Sequence, residues 1–294
     1  MTHKILFASL LCFLSFLAPI EAQTAPLPAA RVKGRIIVAR VNGQVNAVSK
    51  VNGQIRVLRD GDQVSDQTQI VTSAGADVIL VFSNGATLNI AARSTLDIEE
   101  FEQDPFASNL KISDMKAEPG TSVTKLSLTK GDLVGKVVHL NVDKGSEFVV
   151  NTPVGAAGIR GTTFRIVFRP GPNGKALLSV TTADGVVVFK GITSGPVDIA
   201  AGKQVVATFD YTAPSPGNPG STAQTGPVEI VTTDVSAAEL GQIESISEAI
   251  EAAITDIVWT TGTGGGGVNG GFNGNDNNNT FLEPIDTTLV SPSS

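Results

Sequence analysis

Asn151 to Ile166 reads Asn-Thr-Pro-Val-Gly-Ala-Ala-Gly-Ile-Arg-Gly-Thr-Thr-Phe-Arg-Ile, and its reading decides the fold. Pro153 fixes its own φ and pushes Thr152 toward extended geometry, while Gly155, Gly158 and Gly161 permit backbone angles or close approaches that a side chain forbids. Before the stretch, Glu147–Val150 ends a run of Val and Phe. After it, Phe164–Phe168 alternates apolar and polar residues at the two-residue period of a half-buried strand. The segment is therefore expected to be a tight crossover between two strands. A phosphate-loop reading of its glycines fails: a P-loop needs Gly-x-x-x-x-Gly-Lys-Ser/Thr, and the dinucleotide fingerprint needs Gly-x-Gly-x-x-Gly opening a helix, whereas a strand follows here.

Working outward, four more segments carry strand-and-turn patterns: Ile70-Val-Thr-Ser-Ala-Gly-Ala-Asp-Val, Phe82-Ser-Asn-Gly-Ala-Thr-Leu-Asn-Ile, Leu126-Ser-Leu-Thr-Lys-Gly-Asp-Leu and Asp198-Ile-Ala-Ala-Gly-Lys-Gln. Together with Thr152–Phe164, and in this order, they resemble the FecR domain over the span Val38–Ala207. The resemblance implies extracytoplasmic protein recognition, since the best-known FecR regulators sense an outer-membrane receptor and control a sigma factor through a short cytoplasmic arm. Only Met1–Lys4 precede the first apolar segment here. No such arm is expected, and this chain should not relay a signal to a sigma factor by itself.

Composition points the same way. With 41% apolar residues over 294 positions a sizeable core is possible, and with aromatics at 5% Val, Ile and Leu should fill it. The 31 glycines, among many Val, Thr and Asn, favour short strands joined by turns. The expected fold class is all-β, a sandwich or solenoid-like arrangement of many short strands, with one C-terminal amphipathic helix and a Gly/Asn-rich tail. A net charge of −7 without any block of Lys and Arg argues against nucleic acid as a partner and disfavours anionic surfaces.

Residues 1–22 carry Lys4, an apolar run from Ile5 to Ile20 and small or polar residues ending in Ala22, the layout of a secretory signal peptide. The run is short for a membrane span. Cleaved, it leaves no stable span; uncut, it stays as an N-terminal anchor. The expected location is exported: periplasmic, cell-surface or secreted. Cys12, the one cysteine, lies inside this run, so the mature chain has no disulfide, no Cys nucleophile and no thiolate metal cage.

Residues 32–209 read as the FecR-like β domain, 210–227 as a Pro/Gly/Ser/Thr linker, 228–260 as a strand and helix segment, and 261–294 as a low-complexity tail. Within the β domain, Val41-Asn-Gly-Gln-Val and Val51-Asn-Gly-Gln-Ile repeat ten residues apart, and Asn-Gly between β-formers fits either hairpins or short solenoid rungs; Asp184-Gly185 predicts a hairpin. Residues 102–124 lose the strand pattern and read as an excursion over a sheet face. Leu240, Ile243, Ile246, Ile250, Ile254 and Ile257 recur at three- and four-residue steps, predicting a helix over Ser236–Trp259 with Ser236 as cap and Glu239 as its capping-box partner.

No residue constellation announces catalysis. His139 has no evident nucleophile or orienting partner, and no Gly-x-Ser-x-Gly motif is present. Glu99, Glu100, Glu102 and Asp104 form an acidic cluster, but neighbouring strand residues face opposite ways and cannot share one ion. Asn273–Asn279 lacks the glycine and the bidentate Glu of a calcium loop. No catalytic, cofactor or metal residues are expected. The residues singled out for binding or for the crossover itself are Thr152, Pro153, Gly155, Gly158, Arg160, Gly161 and Thr162. Arg160 either offers a guanidinium to a carboxylate partner or folds back, onto turn carbonyls or onto a nearby acid such as Glu147. The expected role is non-catalytic recognition of a protein or cell-envelope component through sheet edges and turns. Self-association into surface material, or an accessory part in envelope signalling, are the alternatives.

Overall fold

Glycines at positive φ mark the corners at which this chain changes sheet. The computed structural model describes residues 30–106, 109–171, 174–191, 195–212, 223–224 and 229–260. The signal peptide at 1–22, the tail at 261–294 and most of the linker at 210–227 lie outside the described residues.

The first strands are β1 (Val32–Lys33), β2 (Ile36–Asn42), β3 (Val45–Ser49), β4 (Ile55–Val57), β5 (Gln63–Val64), β6 (Thr68–Thr72), β7 (Asp77–Phe82), β8 (Thr87–Ile90) and β9 (Thr95–Gln103). The excursion that follows holds β10 (Leu110–Lys111) and leads into the long β11 (Ser122–Lys136). Then come β12 (Glu147–Thr152), β13 (Gly155–Ile159), β14 (Thr163–Pro170), β15 (Lys175–Asp184), β16 (Val186–Gly191), β17 (Pro196–Ala200), β18 (Lys203–Thr212), β19 (Ala223–Gln224) and β20 (Glu229–Asp234). Helix α1 (Ala237–Ile254) and β21 (Val258–Trp259) close the described chain.

Two sheets face each other. The first runs β4-β3-β6-β9-β11-β12-β13-β16-β17, and the second β5-β2-β7-β8-β11-β14-β15-β18-β20. Neighbours are antiparallel except for β11 and β12, which run parallel. Strand β11 belongs to both sheets. Its first part, Ser122 to Lys130, pairs with β9, and its second, Gly131 to Lys136, pairs with β14 and β8. The change falls at Gly131, φ +118°, which only glycine adopts readily.

Beyond β11 the chain lays hairpins alternately on the two sheets. Strands β12 and β13 go on the first, β14 and β15 on the second, β16 and β17 on the first, β18 and β20 on the second. Each change of sheet turns on a glycine of positive φ: Gly161 (+88°), Gly185 (+81°) and Gly202 (+76°). The fold is thus all-β, a sandwich wound from alternating hairpins.

Three of the expected turns need correction. Asn52-Gly53 does close a hairpin, but with a four-residue loop in which Ser49 N–H donates to Gln54 O at 2.9 Å. Asn42-Gly43 is a corner between sheets, because β2 pairs with β5 and β7 while β3 pairs with β4 and β6. Asp184-Gly185 is a second such corner, since β15 and β16 lie in different sheets. Positive φ suits a hairpin and a corner equally well, so the local signal does not separate them.

Alternation fills the space between the sheets with Ile36, Val38, Ile70, Leu80, Ile98, Leu126, Ile166, Val180 and Val205, as the composition required. Phenylalanine contributes more than its abundance suggests: Phe82, Phe101, Phe148, Phe164, Phe168 and Phe189 are all fully buried there. Phe82 and Phe101 meet edge to face, with centroids 5.1 Å apart. A second, smaller core lies on the outer face of the second sheet. There Ile37, Ala39, Ile79 and Val81 are covered by Ile250 and Ile254 of α1, by Ile257 and Trp259, and by Ile112 from the excursion. From the excursion, Phe106, Leu110, Ile112 and Met115 pack on this face, while its ends, Glu102–Gln103 and Ser122–Thr124, belong to β9 and β11.

Helix α1 is capped by Ser236, whose side chain accepts from Glu239 N–H at 3.2 Å. The reciprocal half of the box is replaced: Glu239 Oε1 instead accepts from Thr181 Oγ1 at 3.1 Å, on the sheet. The helix also stops at Ile254. Trp259 leaves it to pair, in β21, with Leu110 of β10.

Candidate functional site

The stretch Thr152–Thr162 is a strand between two turns, which corrects the expected single crossover. Thr152 Oγ1 donates to Gly155 O at 2.8 Å and accepts from Val154 N–H at 3.4 Å, closing the turn at Pro153 and Val154. Gly155 to Ile159 then form β13, paired with β12 on one side and β16 on the other. The glycines have separate reasons. A Cβ at Gly155 would lie 2.6 Å from Lys190 O and 2.7 Å from the Phe189 ring, so glycine is required for close approach. Gly158 meets nothing nearer than 3.6 Å and has no steric need to be glycine. Gly161 needs its positive φ, and a Cβ there would lie 3.0 Å from His139 Cα.

Thr162 is buried, and its carbonyl accepts from Val137 N–H at 3.0 Å, tying the corner to the strand end of β11. Its hydroxyl has no partner among the described residues. Arg160 is exposed and makes no ion pair with a described residue, so it is not folded back onto Glu147. Of the seven residues singled out, only Arg160 presents an unengaged charged group. The others, Gly158 apart, shape the backbone or its turns.

A surface better suited to recognition is the free edge of the first sheet. Val51, Ile55 and Val57 are 74%, 68% and 56% exposed, the most exposed large apolar side chains among the described residues. Strand β4 pairs only with β3, and the bonds Ser49 N–H to Gln54 O and Leu58 N–H to Val45 O set which groups face inward. By the alternation of an antiparallel ladder, the N–H and C=O of Ile55 and Val57 point outward. Partly exposed Val48 and Val71 extend the same apolar face across β3 and β6. The motif search missed this edge, though Val51, Ile55 and Val57 on a short polar-interrupted run were its visible sign.

Residues 68–188 match the FecR protein family. This FecR region begins at β6 and ends within β16, so it is narrower than the span Val38–Ala207, yet it contains the shared strand β11 and the corners at Gly131, Gly161 and Gly185. Two crystal structures of a candidate anti-sigma factor from Parabacteroides distasonis, at 2.50 and 1.65 Å resolution, align with the chain at 13% identity and a TM-score of 0.38. Each alignment covers 59% of this chain and 62% of that one, so the chain spans less than two thirds of the length of these structures. Among curated proteins none matches.

The FecR region contains the strongest buried ion pair described. Asp132, the residue after corner Gly131, accepts two bonds from Arg165, from Nε at 2.9 Å and Nη2 at 2.6 Å, and one from Arg169 at 3.3 Å. Arg165 is raised above its ordinary pKa, chiefly by Asp132, against the opposing effect of burial. Arg165 and Arg169 line a shallow groove with Leu177, Val206, Glu239 and Gln242, between the second sheet and the start of α1. Their charge is balanced by Glu239 in the lining and by Asp132, bonded to both arginines, so the groove favours no ion. Replacing Asp132 by Ala strands the Arg165 guanidinium, with Glu239 3.9 Å away as the remaining acid, and is expected to cost about 2–3 kcal/mol. Urea unfolding checks this; a loss below about 0.5 kcal/mol contradicts the pairing.

The acidic cluster is dispersed. Glu100 pairs with Lys125 at 2.7 Å, Glu102 with Lys33 at 2.9 Å, and Glu99 accepts from Asn151 Nδ2 at 3.4 Å. Lys33, between Asp66 and Glu102, is held well above the usual lysine pKa, and Glu102 below the usual carboxylate range, by these hydrogen bonds. Lys33 is 65% exposed, so solvent screening leaves little stability in the pair. Among the described residues no group of three or more His, Cys, Asp or Glu could hold a metal. Sequence reasoning also passed over Glu118, a buried carboxylate that accepts from Ser122 Oγ at 2.6 Å and from Asn141 N–H at 2.5 Å. His139 is exposed, and its backbone is engaged with Lys116 and Glu118.

Proposed function

We propose that this chain is an exported, non-catalytic FecR-type module that recognises a protein or cell-envelope component by adding a partner strand to the β4 edge. The observation that carries the reading is the bare edge itself: outward-facing backbone groups at Ile55 and Val57, flanked by exposed apolar side chains, beside a region that matches the FecR family. Extended peptides dock on such edges through main-chain hydrogen bonds, with alternate side chains giving specificity. The layout of residues 1–22 supports export, and no helix among the described residues is long and apolar enough to cross a membrane. The site residues Thr152, Pro153, Gly155, Gly158, Gly161 and Thr162 serve as architecture in this reading, with Arg160 as an exposed accessory contact.

A photo-crosslinking residue at position 55 or 57, in the full chain expressed in its native envelope, is expected to capture one recurrent partner. A second variant with Val57→Lys should abolish the crosslink without changing the melting temperature. Capture only of further copies of the chain supports self-association instead, and no crosslink from either position sinks the edge reading.

A further inference from the structure

Beside the second core lies a cation without a counter-ion among the described residues. Arg35 directly precedes β2, and the alternation that turns Ile37 and Ala39 onto the helix-covered face of the second sheet brings Arg35 to the same face. Its backbone is pinned there, its N–H donating to Ser83 Oγ at 2.9 Å and its carbonyl accepting from Ser83 N–H at 2.9 Å. The guanidinium carbon lies over the Phe106 ring, 5.1 Å from its centroid, and over the Trp259 ring, 5.0 Å from its centroid. Arg35 is half-buried, yet its side chain makes no ion pair or hydrogen bond with any described residue. Arg165 shows what the protein does elsewhere with a buried guanidinium: it supplies a bidentate carboxylate.

From this contrast we infer that Arg35, Phe106 and Trp259 form a binding site for a carboxylate carried on an apolar peptide segment of a partner protein. The two rings supply cation–π attraction and shield the guanidinium from water on those sides, leaving its N–H fork for an acceptor. A carboxylate matches that fork in geometry and charge. Burial without a counter-charge already pushes the Arg35 pKa below its ordinary value, so an arriving anion meets a poorly solvated partner. One cation in an apolar setting, on a chain of net charge −7, suits a singly charged carboxylate better than a phosphate. Partly buried Phe106, Leu110 and Met115 border the same cluster and give the flanking side chains of a peptide something to contact. The site stands whether or not the β4 edge recognises a partner.

Trp259 is the single tryptophan, so its fluorescence reports on the site directly. The full chain is titrated with the blocked tripeptide acetyl-Phe-Glu-Phe-amide, with its neutral analogue acetyl-Phe-Gln-Phe-amide, and with inorganic phosphate. The expected result is a saturable change in emission with the Glu peptide, with affinity at least about tenfold weaker for the Gln peptide and for phosphate. Arg35→Met should weaken the Glu peptide by about tenfold or more while leaving the Gln peptide unaffected, and Arg35→Lys should fall between, having charge without the fork. Equal binding of the two peptides, tighter binding of phosphate, no saturable change, or full affinity in Arg35→Met each overturns the assignment. Should Arg35→Met fail to fold, the comparison of the Glu and Gln peptides on the unaltered chain decides alone.

Discussion

Gly131→Ala is expected to be among the most damaging single substitutions available to this chain, costing about 4 kcal/mol or more of stability. Two effects add. The backbone there holds φ at +118°, a conformation in which an L side chain is strained. A Cβ would also lie 2.1 Å from Ser94 Oγ, 2.4 Å from Ser94 Cβ and 2.5 Å from Ser94 Cα. Ser94 cannot move aside cheaply, because its hydroxyl accepts from Asp132 N–H at 3.0 Å and its own N–H donates to Thr72 Oγ1 at 2.9 Å. The strain falls where β11 passes from one sheet to the other, so relief would unpair β11 from β8 and β14. Thermal unfolding followed by circular dichroism should show a fall of about 10 °C or more. Gly53→Ala is the matched control. Gly53 also has positive φ, at +72°, but a Cβ there meets nothing within 4 Å, and only about 1 kcal/mol of conformational strain is expected. If the two variants melted together, Gly131 would not be the constrained junction described.

Trp259→Ala is expected to cost about 3–5 kcal/mol, the range for deleting a buried aromatic side chain. Trp259 is 1% exposed and packs in the second core with Ile37, Ile79, Val81, Ile112 and Ile250. Removing it hollows the contact between the sheet and the α1–β21 segment. The flanking ion pair of Lys136 with Glu251 is solvent-exposed and cannot compensate. Urea titration read by far-ultraviolet circular dichroism measures the loss, and a change below about 1 kcal/mol would mean that this segment contributes little to the sandwich.

Much of the architecture was legible because it rests on short-range rules. Two-residue alternation located the strands flanking Asn151–Ile166, turn glycines located the reversals, and Ser236 marked the helix start. What the residues could not convey depends on partners distant in sequence. Asn42-Gly43 and Asn52-Gly53 look alike, yet a Cβ on Gly43 would meet Ala76 Cβ at 2.9 Å while Gly53 faces open space, and only the first is a corner between sheets. The expected helix runs to Trp259 on paper, but Leu110 offers Trp259 a strand partner. The bare β4 edge was hidden for the same reason: whether β4 ends a sheet is decided by the strands that fail to cover it. The crossover motif was the conspicuous feature, yet Thr152 closes a turn, Gly155 allows a close approach, and only Gly161 and Thr162 hold the corner.

The central claim is that the edge of β4 is bare in the free protein and is covered when the protein acts. Amide hydrogen exchange at Ile55 and Val57 tests it most directly, because these N–H groups point away from β3 while that of Arg56 is bonded to it. The account predicts rapid exchange at 55 and 57 and slower exchange at 56 in the isolated chain, with 55 and 57 becoming protected when the crosslinked partner is bound. Protection of Ile55 and Val57 in the isolated monomer, or their unchanged rapid exchange in the complex, would contradict it.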